Sequence, residues 1–439
     1  MGTKLVLAST LACTLAVLAG TATVSIAAGL RVNEQGAKAM GMGNAFAAQA
    51  DDPSALYYNP AGIAFLKGTQ VSLGSLIISV PETEFTGTTP LSGGGGTSVT
   101  YEKAKKDLFI APSLYATYTM ETLPLTFGLG INSIYPLAKG WDESSVFRSQ
   151  ITNISVKPIN FQPTVAYRFD DLHLAVAAGL DVTHAIVSLQ KTAYSSGAEL
   201  GSLGVDGTAT DVGYNLGLKW KPLPALSFGV AYRSEITLHI EGNANFLATT
   251  PTGNTLIGFN STTTDTRNRA YSSASTTITL PDSLTLAVAW QPTGKLTVEF
   301  DAERTGWSSF NNLDINFNSS QMSHFNNNPI PLNWKDAWCY KFGGQYAVNK
   351  NLDLRAGYMY DTNPIPDSTL GPILPDADRH SFSVGSGIHV DNVTLDMAYM
   401  FTHFEDRSVN NQNIALTTGE NGTFKSDVHL FGANISVKF

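Results

Sequence analysis

The sequence predicts an all-β protein: a fourteen-stranded antiparallel transmembrane β-barrel with an N-terminal helical plug (hatch) in its lumen. Strand-like segments alternate apolar and polar residues and run ten residues or longer, whereas soluble strands typically run five or six. Short and long connections alternate between these segments, as they do in outer-membrane barrels. Charged residues make up 14% of the 439 residues and aromatic residues 10%. That balance fits strands with one lipid-facing flank and one lumen-facing flank.

The strand prediction is clearest at the C-terminal end, in the stretch VHLFGANISVKF (428–439). Phe431, Ile435 and Phe439 fall on one face, and Asn434 and Lys438 on the other. A soluble β-sandwich is the alternative, but it accounts for neither the strand lengths nor the alternating connections. Fourteen such segments begin near Gln70, Phe109, Leu125, Ile154, Leu172, Thr210, Ala225, Ala274, Lys295, Trp334, Asn351, Arg379, Asn392 and Lys425.

Aromatic residues cluster near the ends of the apolar faces, where the interfacial girdles of a membrane barrel belong. Alternation of apolar and polar residues along the seventh segment places Phe228 and Ile236 on one outward face. The predicted girdle consists of Tyr118, Tyr135, Tyr167, Trp220, Tyr232, Trp290, Trp307, Trp338 and Tyr399.

The first residues read as a secretory signal peptide. Lys4 supplies the positive end, an apolar run follows, and Ser25-Ile26-Ala27 forms a small-x-small cleavage site. The run is shorter than the ~20 residues that a membrane-spanning helix needs. We therefore predict a signal peptide over residues 1–27, a plug over 28–68 and the barrel over 69–439. Cleavage leaves Cys339 as the one cysteine of the mature chain, so no internal disulfide is expected.

The segment between the leader and the first strand is poor strand material. Its stretch AKAMGMGNAFAAQA has helical spacing, and Asp52-Pro53-Ser54 looks like an N-cap followed by proline. Asn59-Pro60 should end that second helix, because a residue before proline avoids the α region. A barrel of this size is too wide for its own side chains to fill. Short helices ahead of it are therefore predicted to lie inside as a plug.

The same region carries a resemblance to a known family. AGLRVNEQGAKAMGMGNAFAAQADDPSALYYNPAGI (28–63) resembles the mature start of the FadL/TodX family of outer-membrane channels for hydrophobic compounds. Further similarity lies in residues 130–141, 280–292, 305–315, 333–367 and 374–387. The resemblance implies a transport channel in the outer membrane of a Gram-negative bacterium. It implies passive uptake by capture at external loops, transfer to an internal pocket and lateral exit through a kinked third strand.

The resemblance also implies site residues. Carried over, the plug and gate contacts against the kink are Asn59, Pro60 and Ala61, and the kinked strand is Leu125–Tyr135. The expected lateral-opening residues of that strand are Gly128, Gly130 and Asn132.

The ligand pocket is expected to contain Leu30, Ile186 and Ile330. Ile186 and Ile330 occupy places where fatty-acid members are expected to carry basic side chains. A buried carboxylate without partners is costly, so a neutral ligand is the alternative, unless other basic residues bind a carboxylate. Inward-facing residues available for that role are Arg233, Arg355 and Lys341, which instead could pair with wall carboxylates such as Asp353.

Long-chain fatty acids are the first ligand class predicted, and aromatic or aliphatic hydrocarbons are the alternative. An outer-membrane lipid hydrolase is less favoured, because the chain contains neither G-x-S-x-G nor H-E-x-x-H. We therefore expect no catalytic residues, no metal and no cofactor. A net charge of −9 argues against nucleic-acid binding. The expected partners are a hydrophobic small molecule, outer-membrane lipid and lipopolysaccharide, and the barrel-assembly machinery through Phe439, with the protein a monomer.

Overall fold

The computed structural model describes residues 29–80, 83–90, 97–195, 198–258, 268–327, 329–412 and 419–439. The signal peptide predicted for residues 1–27 lies outside these ranges. Fourteen strands, each antiparallel to its neighbours, form a barrel that closes where the first strand pairs with the last, from Gln70↔Lys438 to Ser79↔His429. The predicted fourteen-stranded barrel is confirmed.

We number the barrel strands β1 to β14 in chain order; three of them are interrupted. They are β1 Thr69–Val80, β2 Asp107–Thr119, β3 Leu125–Asn132 with Leu137–Gly140, β4 Asn153–Phe169, β5 Leu174–Ser195, β6 Ala198–Leu223, β7 Leu226–Arg233 with Ile236–Ala248, β8 Arg269–Leu280 with Ser283–Thr293, β9 Leu296–Thr305, β10 Ala337–Asn349, β11 Leu352–Asp361, β12 Arg379–Val390, β13 Val393–Phe404 and β14 Asp427–Lys438.

The alternation of apolar and polar residues along the strands is as predicted in β14, where Phe431 and Ile435 are exposed outside while Leu430 and Asn434 are buried. In β7 the phase slips by one residue at the interruption, so Ile236 is buried inside. The prediction that Ile236 shares the outward face of Phe228 is therefore wrong. Periodicity alone assumes an unbroken strand, and a one-residue slip in register at the interruption reverses the faces beyond it.

Smaller elements belong to the connections between barrel strands. Glu84–Pro90, Thr97–Lys103, Arg407–Asn410 and Asn421–Lys425 form a four-stranded sheet; Asn312–Leu313 pairs with Ile330–Pro331, and Asn316–Phe317 pairs with β8. One short α-helix, Pro251–Leu256, and 3-10 turns at Val146–Ser149, Asp170–Leu172, Trp307–Ser309 and Ser323–Phe325 complete these connections. Among the described residues, the helices are all too short or too polar to cross a membrane.

The plug precedes β1 and is almost entirely buried. It contains α1 (Ala37–Met40), α2 (Ala55–Tyr58) and a 3-10 helix (Pro60–Phe65). The predicted first helix is short because Gly43 and Asn44 both adopt left-handed backbone conformations, with φ of 61°. As predicted, Asn59 ends α2, with φ of −158°. Its Oδ1 then accepts a hydrogen bond from Ala61 N (3.1 Å), which caps the 3-10 helix.

The plug fits tightly because glycines face it from seven strands. At Gly357 an added Cβ would lie 2.0 Å from Gly43 N, and at Gly229 it would lie 2.3 Å from Ala47 O. No side chain could occupy these positions without displacing the plug backbone. We call the set the glycine ring: Gly128, Gly217, Gly229, Gly343, Gly357, Gly385 and Gly432.

Candidate functional site

The third strand is broken at residues 133–136, as the predicted kink requires. Its first part pairs with both β2 and β4, but Leu137–Gly140 pairs with β4 alone. Pairing between β2 and β3 ends at Leu114↔Ile131, and contact resumes where Lys105 N donates to Gly140 O (2.8 Å). Between these points the β2 edge has no strand partner on that side among the described residues. We call this opening, about 20 Å long at the rise of a strand, the wall window.

The inside of the wall window is covered by residues 29–35, which we call the N-terminal segment. Val32 N donates to Ile134 O (2.8 Å), and Gln35 Nε2 donates to Ser133 O (2.7 Å). Tyr115 Oη, from β2, donates to Gln35 O (2.9 Å). The N-terminal segment therefore satisfies the carbonyl groups that the break in β3 leaves without strand partners.

An aromatic cluster lies beside the start of the N-terminal segment. Leu30 is buried with Tyr135, Trp307, Phe310 and Trp334. The ring centroids of Trp307 and Trp334 lie 5.1 Å apart, and those of Phe310 and Trp334 lie 5.0 Å apart. Such contacts add to the stabilisation that burial gives each ring. Tyr135 and Trp307 were predicted in the interfacial girdle, and that prediction is wrong, because both are buried inside.

Asp376 holds the N-terminal segment from an external connection. Gly29 N donates to Asp376 Oδ2 (2.9 Å), and the other carboxylate oxygen is buried without a partner among the described residues. Burial raises the pKa of Asp376 to about 6, against the opposing effect of Arg379.

A second apolar cluster lines the wall window from inside; we call it the window cluster. Val32 packs there with Leu76, Ile78, Ala111 and Ala138, all buried. Leu30 and Val32 lie on the same segment, so apolar surface continues from the aromatic cluster to the wall window. The N-terminal segment occupies this route.

A third group of rings joins the external connections. Phe147 packs against Phe85 and Trp141, with ring centroids 5.2 and 4.7 Å away, and Phe85 packs against Phe424. The Glu420 carboxylate is buried nearby and accepts a hydrogen bond from the Gln150 amide. Burial raises the pKa of Glu420 to about 7.

The structure places Asn59, Pro60 and Ala61 against β6 rather than against the kink. Asn59 Nδ2 donates to Leu218 O (3.0 Å) and to Ala47 O (2.7 Å). The prediction that these three residues contact the kink is therefore wrong. The chain between α2 and the first strand runs along β2 to β6 and meets β3 below the break, where Ile63 lies near Gly128, and the N-terminal segment reaches the break itself.

The predicted lateral-opening residues lie on β3 but below the wall window. An added Cβ at Gly130 would meet the Tyr115 ring at 3.3 Å, and one at Gly128 would meet Leu56 of the plug at 2.5 Å. The side chain of Asn132 accepts a hydrogen bond from Asn160 (3.4 Å). A bulky residue at Gly130 would strike Tyr115, so it is not a direct obstruction of the wall window.

Of the three predicted pocket residues, Leu30 lies inside. Ile186 is 51% exposed on the outer face of β5, so its assignment to the pocket is wrong. Ile330 lies in the two-stranded sheet outside the barrel. Val187, on β5, and Leu332, in the connection before β10, pack against the apolar core. The predicted positions lie one and two residues before these residues, and a one-residue shift along a strand moves a side chain to the opposite face.

Each of the three predicted cations is bound to a wall carboxylate. Arg233 pairs with Asp181, and Arg355 pairs with Asp396 (2.6 Å). Arg233 and Arg355 therefore pair with wall carboxylates, which was the alternative to binding a ligand carboxylate.

Lys341 shares its partner with a residue that the sequence did not single out. Lys341 Nζ lies 2.9 Å from Glu303 Oε2, and Arg31 Nη1 lies 2.8 Å from Glu303 Oε1. Arg31 follows Leu30 directly, and that position is the one sequence signal that could have identified it.

A barrel with a lipid-facing apolar exterior, a seated plug and an interrupted wall defines an outer-membrane channel. The chain belongs to the outer membrane protein transport protein family (OMPP1/FadL/TodX), whose profile matches residues 18–439. It is 22% identical to the long-chain fatty acid transport protein of Escherichia coli K12 over 94% of each chain. Family members are outer-membrane channels for hydrophobic compounds, so this protein is a channel and not an enzyme, and its place is the Gram-negative outer membrane.

Solved structures share the fold. A FadL homologue of Pseudomonas aeruginosa aligns with a TM-score of 0.80 at 21% identity, covering 94% of this chain and all of the other. The toluene transporter TodX of Pseudomonas putida aligns with a TM-score of 0.67 at 18% identity, covering 88% of this chain and 94% of its own.

Proposed function

We propose that this channel takes up hydrophobic molecules passively and releases them sideways into the outer membrane through the wall window. The observation that carries the proposal is the break in β3 beside an edge of β2 that has no strand partner in the described part of the chain. Backbone groups facing lipid are normally satisfied by strand pairing around a closed barrel. An interruption at membrane depth is therefore costly, and a passage through the wall accounts for it.

The route begins at the external connections, continues through the aromatic cluster and ends at the window cluster. Leu30 and Val32 occupy the route, so ligand passes when the N-terminal segment moves. The plug behind the segment stays in place, which keeps the lumen closed to water.

Long-chain fatty acids are the ligand class we propose first. Arg31 and Lys341 share the single carboxylate of Glu303, so this group of three carries a net positive charge beside Leu30. A ligand carboxylate there would replace Glu303 as the partner of Arg31. Lys341 would keep Glu303 paired, so neither wall charge would be left alone.

A monoaromatic hydrocarbon is the second candidate, favoured by the rings of Trp307, Phe310 and Trp334. These rings offer edge and face contacts to an aromatic ligand. A hydrocarbon needs no cation, which agrees with the pairing of Arg233 and Arg355 to wall carboxylates.

Binding to the refolded protein tests the ligand class, with radiolabelled oleate, oleyl alcohol and toluene compared. The proposal expects oleate to bind about tenfold more tightly than oleyl alcohol, because a charged hydrogen bond contributes about 1.5 kcal/mol or more. Arg31→Met should remove that preference. The control Arg304→Met changes an arginine that pairs with Asp336 in the external connections.

Equal binding of oleate and oleyl alcohol would contradict the fatty-acid assignment, and tight toluene binding alone would support the second candidate. Absence of binding by all three ligands would contradict the proposed transport of hydrophobic molecules.

A further inference from the structure

Charged side chains of the barrel wall hold one turn of the plug, residues 46–50. Asp301 Oδ2 accepts hydrogen bonds from Phe46 N (3.0 Å) and Ala47 N (3.1 Å). Glu299 accepts the next two: Oε1 from Ala48 N (2.6 Å) and Oε2 from Gln49 N (2.9 Å). Two carboxylates at alternate positions of β9 thus bind four consecutive backbone N–H groups.

The carbonyl groups of the same turn are bound from β6. Lys219 Nζ donates to Gln49 O and to Ala50 O, the latter at 3.2 Å. Asn59 of the plug donates to Ala47 O (2.7 Å). Acidic side chains therefore bind the N–H groups of this turn, and a lysine binds its carbonyl groups.

Neither carboxylate forms an ion pair with a residue that the structure describes. Glu299 and Asp301 are 4% and 1% exposed, and within the described ranges neither has a lysine, arginine or histidine nitrogen within 4 Å. Two neighbouring buried carboxylates are unfavourable unless hydrogen bonds satisfy them. The plug N–H groups supply those bonds, and hydrogen bonds to a charged acceptor are roughly twice as strong as neutral ones.

Glu299 and Asp301 lie nearly opposite the wall window, because β9 is the sixth strand after β3 in a ring of fourteen, whereas Lys219 lies on β6, three strands after β3. The wall side chains therefore fix a turn of the plug that lies outside the N-terminal segment, which has contacts of its own. We propose that Glu299, Asp301 and Lys219 are positioning residues, a plug clamp, that keeps the plug seated while the N-terminal segment moves. The clamp lets hydrophobic ligand pass without opening a water-filled pore.

Amide substitutions are expected to have different effects at the two carboxylates. Glu299 uses both oxygens, so Glu299→Gln turns an amide NH₂ toward a backbone N–H, whichever way it is rotated. Asp301 uses a single oxygen for both bonds, so Asp301→Asn keeps an acceptor there and loses the charge alone. Glu299→Gln should therefore unseat the plug more than Asp301→Asn does.

The assay is ion conductance of the full-length protein in planar bilayers, with heat-modifiable migration to verify a folded barrel. We expect mean conductance to rise about tenfold in Glu299→Gln, because a barrel of this width is open without its plug. The rise should be smaller in Asp301→Asn, and Asp301→Glu, which keeps the charge, should stay closed. Asp181→Asn is the matched control: an equally buried carboxylate whose partners Arg233, Asn160 and Asn215 all belong to the wall.

A folded Glu299→Gln barrel with the conductance of the unsubstituted protein would overturn the proposal, as would an equal rise in Asp181→Asn. Should Glu299→Gln fail to fold, Lys219→Met tests the clamp instead, because Lys219 binds the carbonyl groups of the same turn. Increased conductance of Lys219→Met supports the clamp, and unchanged conductance rejects it.

Discussion

Replacing Gln35 with methionine should loosen the N-terminal segment from the wall window. Gln35 Nε2 donates to Ser133 O (2.7 Å) and to Val32 O (3.0 Å), and methionine keeps the side-chain length while losing both bonds. The bond to Val32 lies within the N-terminal segment and only the bond to Ser133 joins the segment to the wall, so the closed arrangement loses about 1 kcal/mol. That free energy corresponds to a roughly 5-fold larger open population.

The opening can be measured with a cysteine in place of Ala138, which is 3% exposed in the window cluster. In a Cys339→Ala background, a membrane-soluble maleimide should label this cysteine about 5-fold faster when Gln35→Met is added. Gln70→Met is the control, because its amide binds Lys67 O (3.2 Å) below the first strand. Equal labelling rates in folded Gln35→Met and control proteins would refute a gate formed by the N-terminal segment.

Three further outcomes are expected. Ala138→Trp should abolish oleate uptake by filling the wall window, with the folded barrel retained; undiminished uptake would argue against exit at that point. Trp307→Ala removes a ring that contacts Tyr135, Phe310 and Trp334, so ligand affinity should fall at least tenfold in the binding assay. The Glu420 pKa is raised from 4.5 to about 7, so the folded external connections favour the protonated carboxyl. Their stability should be full below pH 4.5 and fall by about 3 kcal/mol as the pH rises through 7. Hydrogen exchange around Phe147 should report this loss, and Glu420→Gln should remove the pH dependence.

The barrel was predictable because period-two alternation is a local property of each strand. Strand number and the closing strand follow from segments that the sequence delimits, whereas the kink in β3 was expected from the family resemblance alone. The inward Ile236 was not predictable by this argument, since the interruption at residues 234–235 reverses the faces and carries no strong turn signal.

The site was predictable only in part, because its contacts join distant parts of the chain. Leu30 lies inside the barrel, but Asn59 contacts β6, and Val32 and Gln35 make the contacts to the kink. Which wall strand faces a given plug residue depends on how the plug is seated. The glycine ring and the plug clamp fix that seating, and both become visible only once the strands are closed into a barrel.

The pairing of Arg31 and Lys341 with one carboxylate also escaped sequence reasoning. Glu303 lies on β9, Lys341 on β10 and Arg31 in the plug, so register and seating together decide the contact. Alternation alone correctly placed Lys341 facing inward, but it gave no information about its partners.

Lateral exit is tested most directly by locking the plug to the wall and measuring uptake. An added Cβ at Gly432 would lie 3.4 Å from the Ala37 Cβ, close to the separation in disulfides, with the flexible Met40 side chain moving aside. The measurement is the initial uptake rate of labelled oleate by the oxidised Ala37→Cys/Gly432→Cys protein, relative to its reduced form. Ligand that leaves through the wall window should enter at the same rate in both forms. Uptake that stops on oxidation and returns on reduction would mean that the plug must leave, and that ligand passes along the barrel axis.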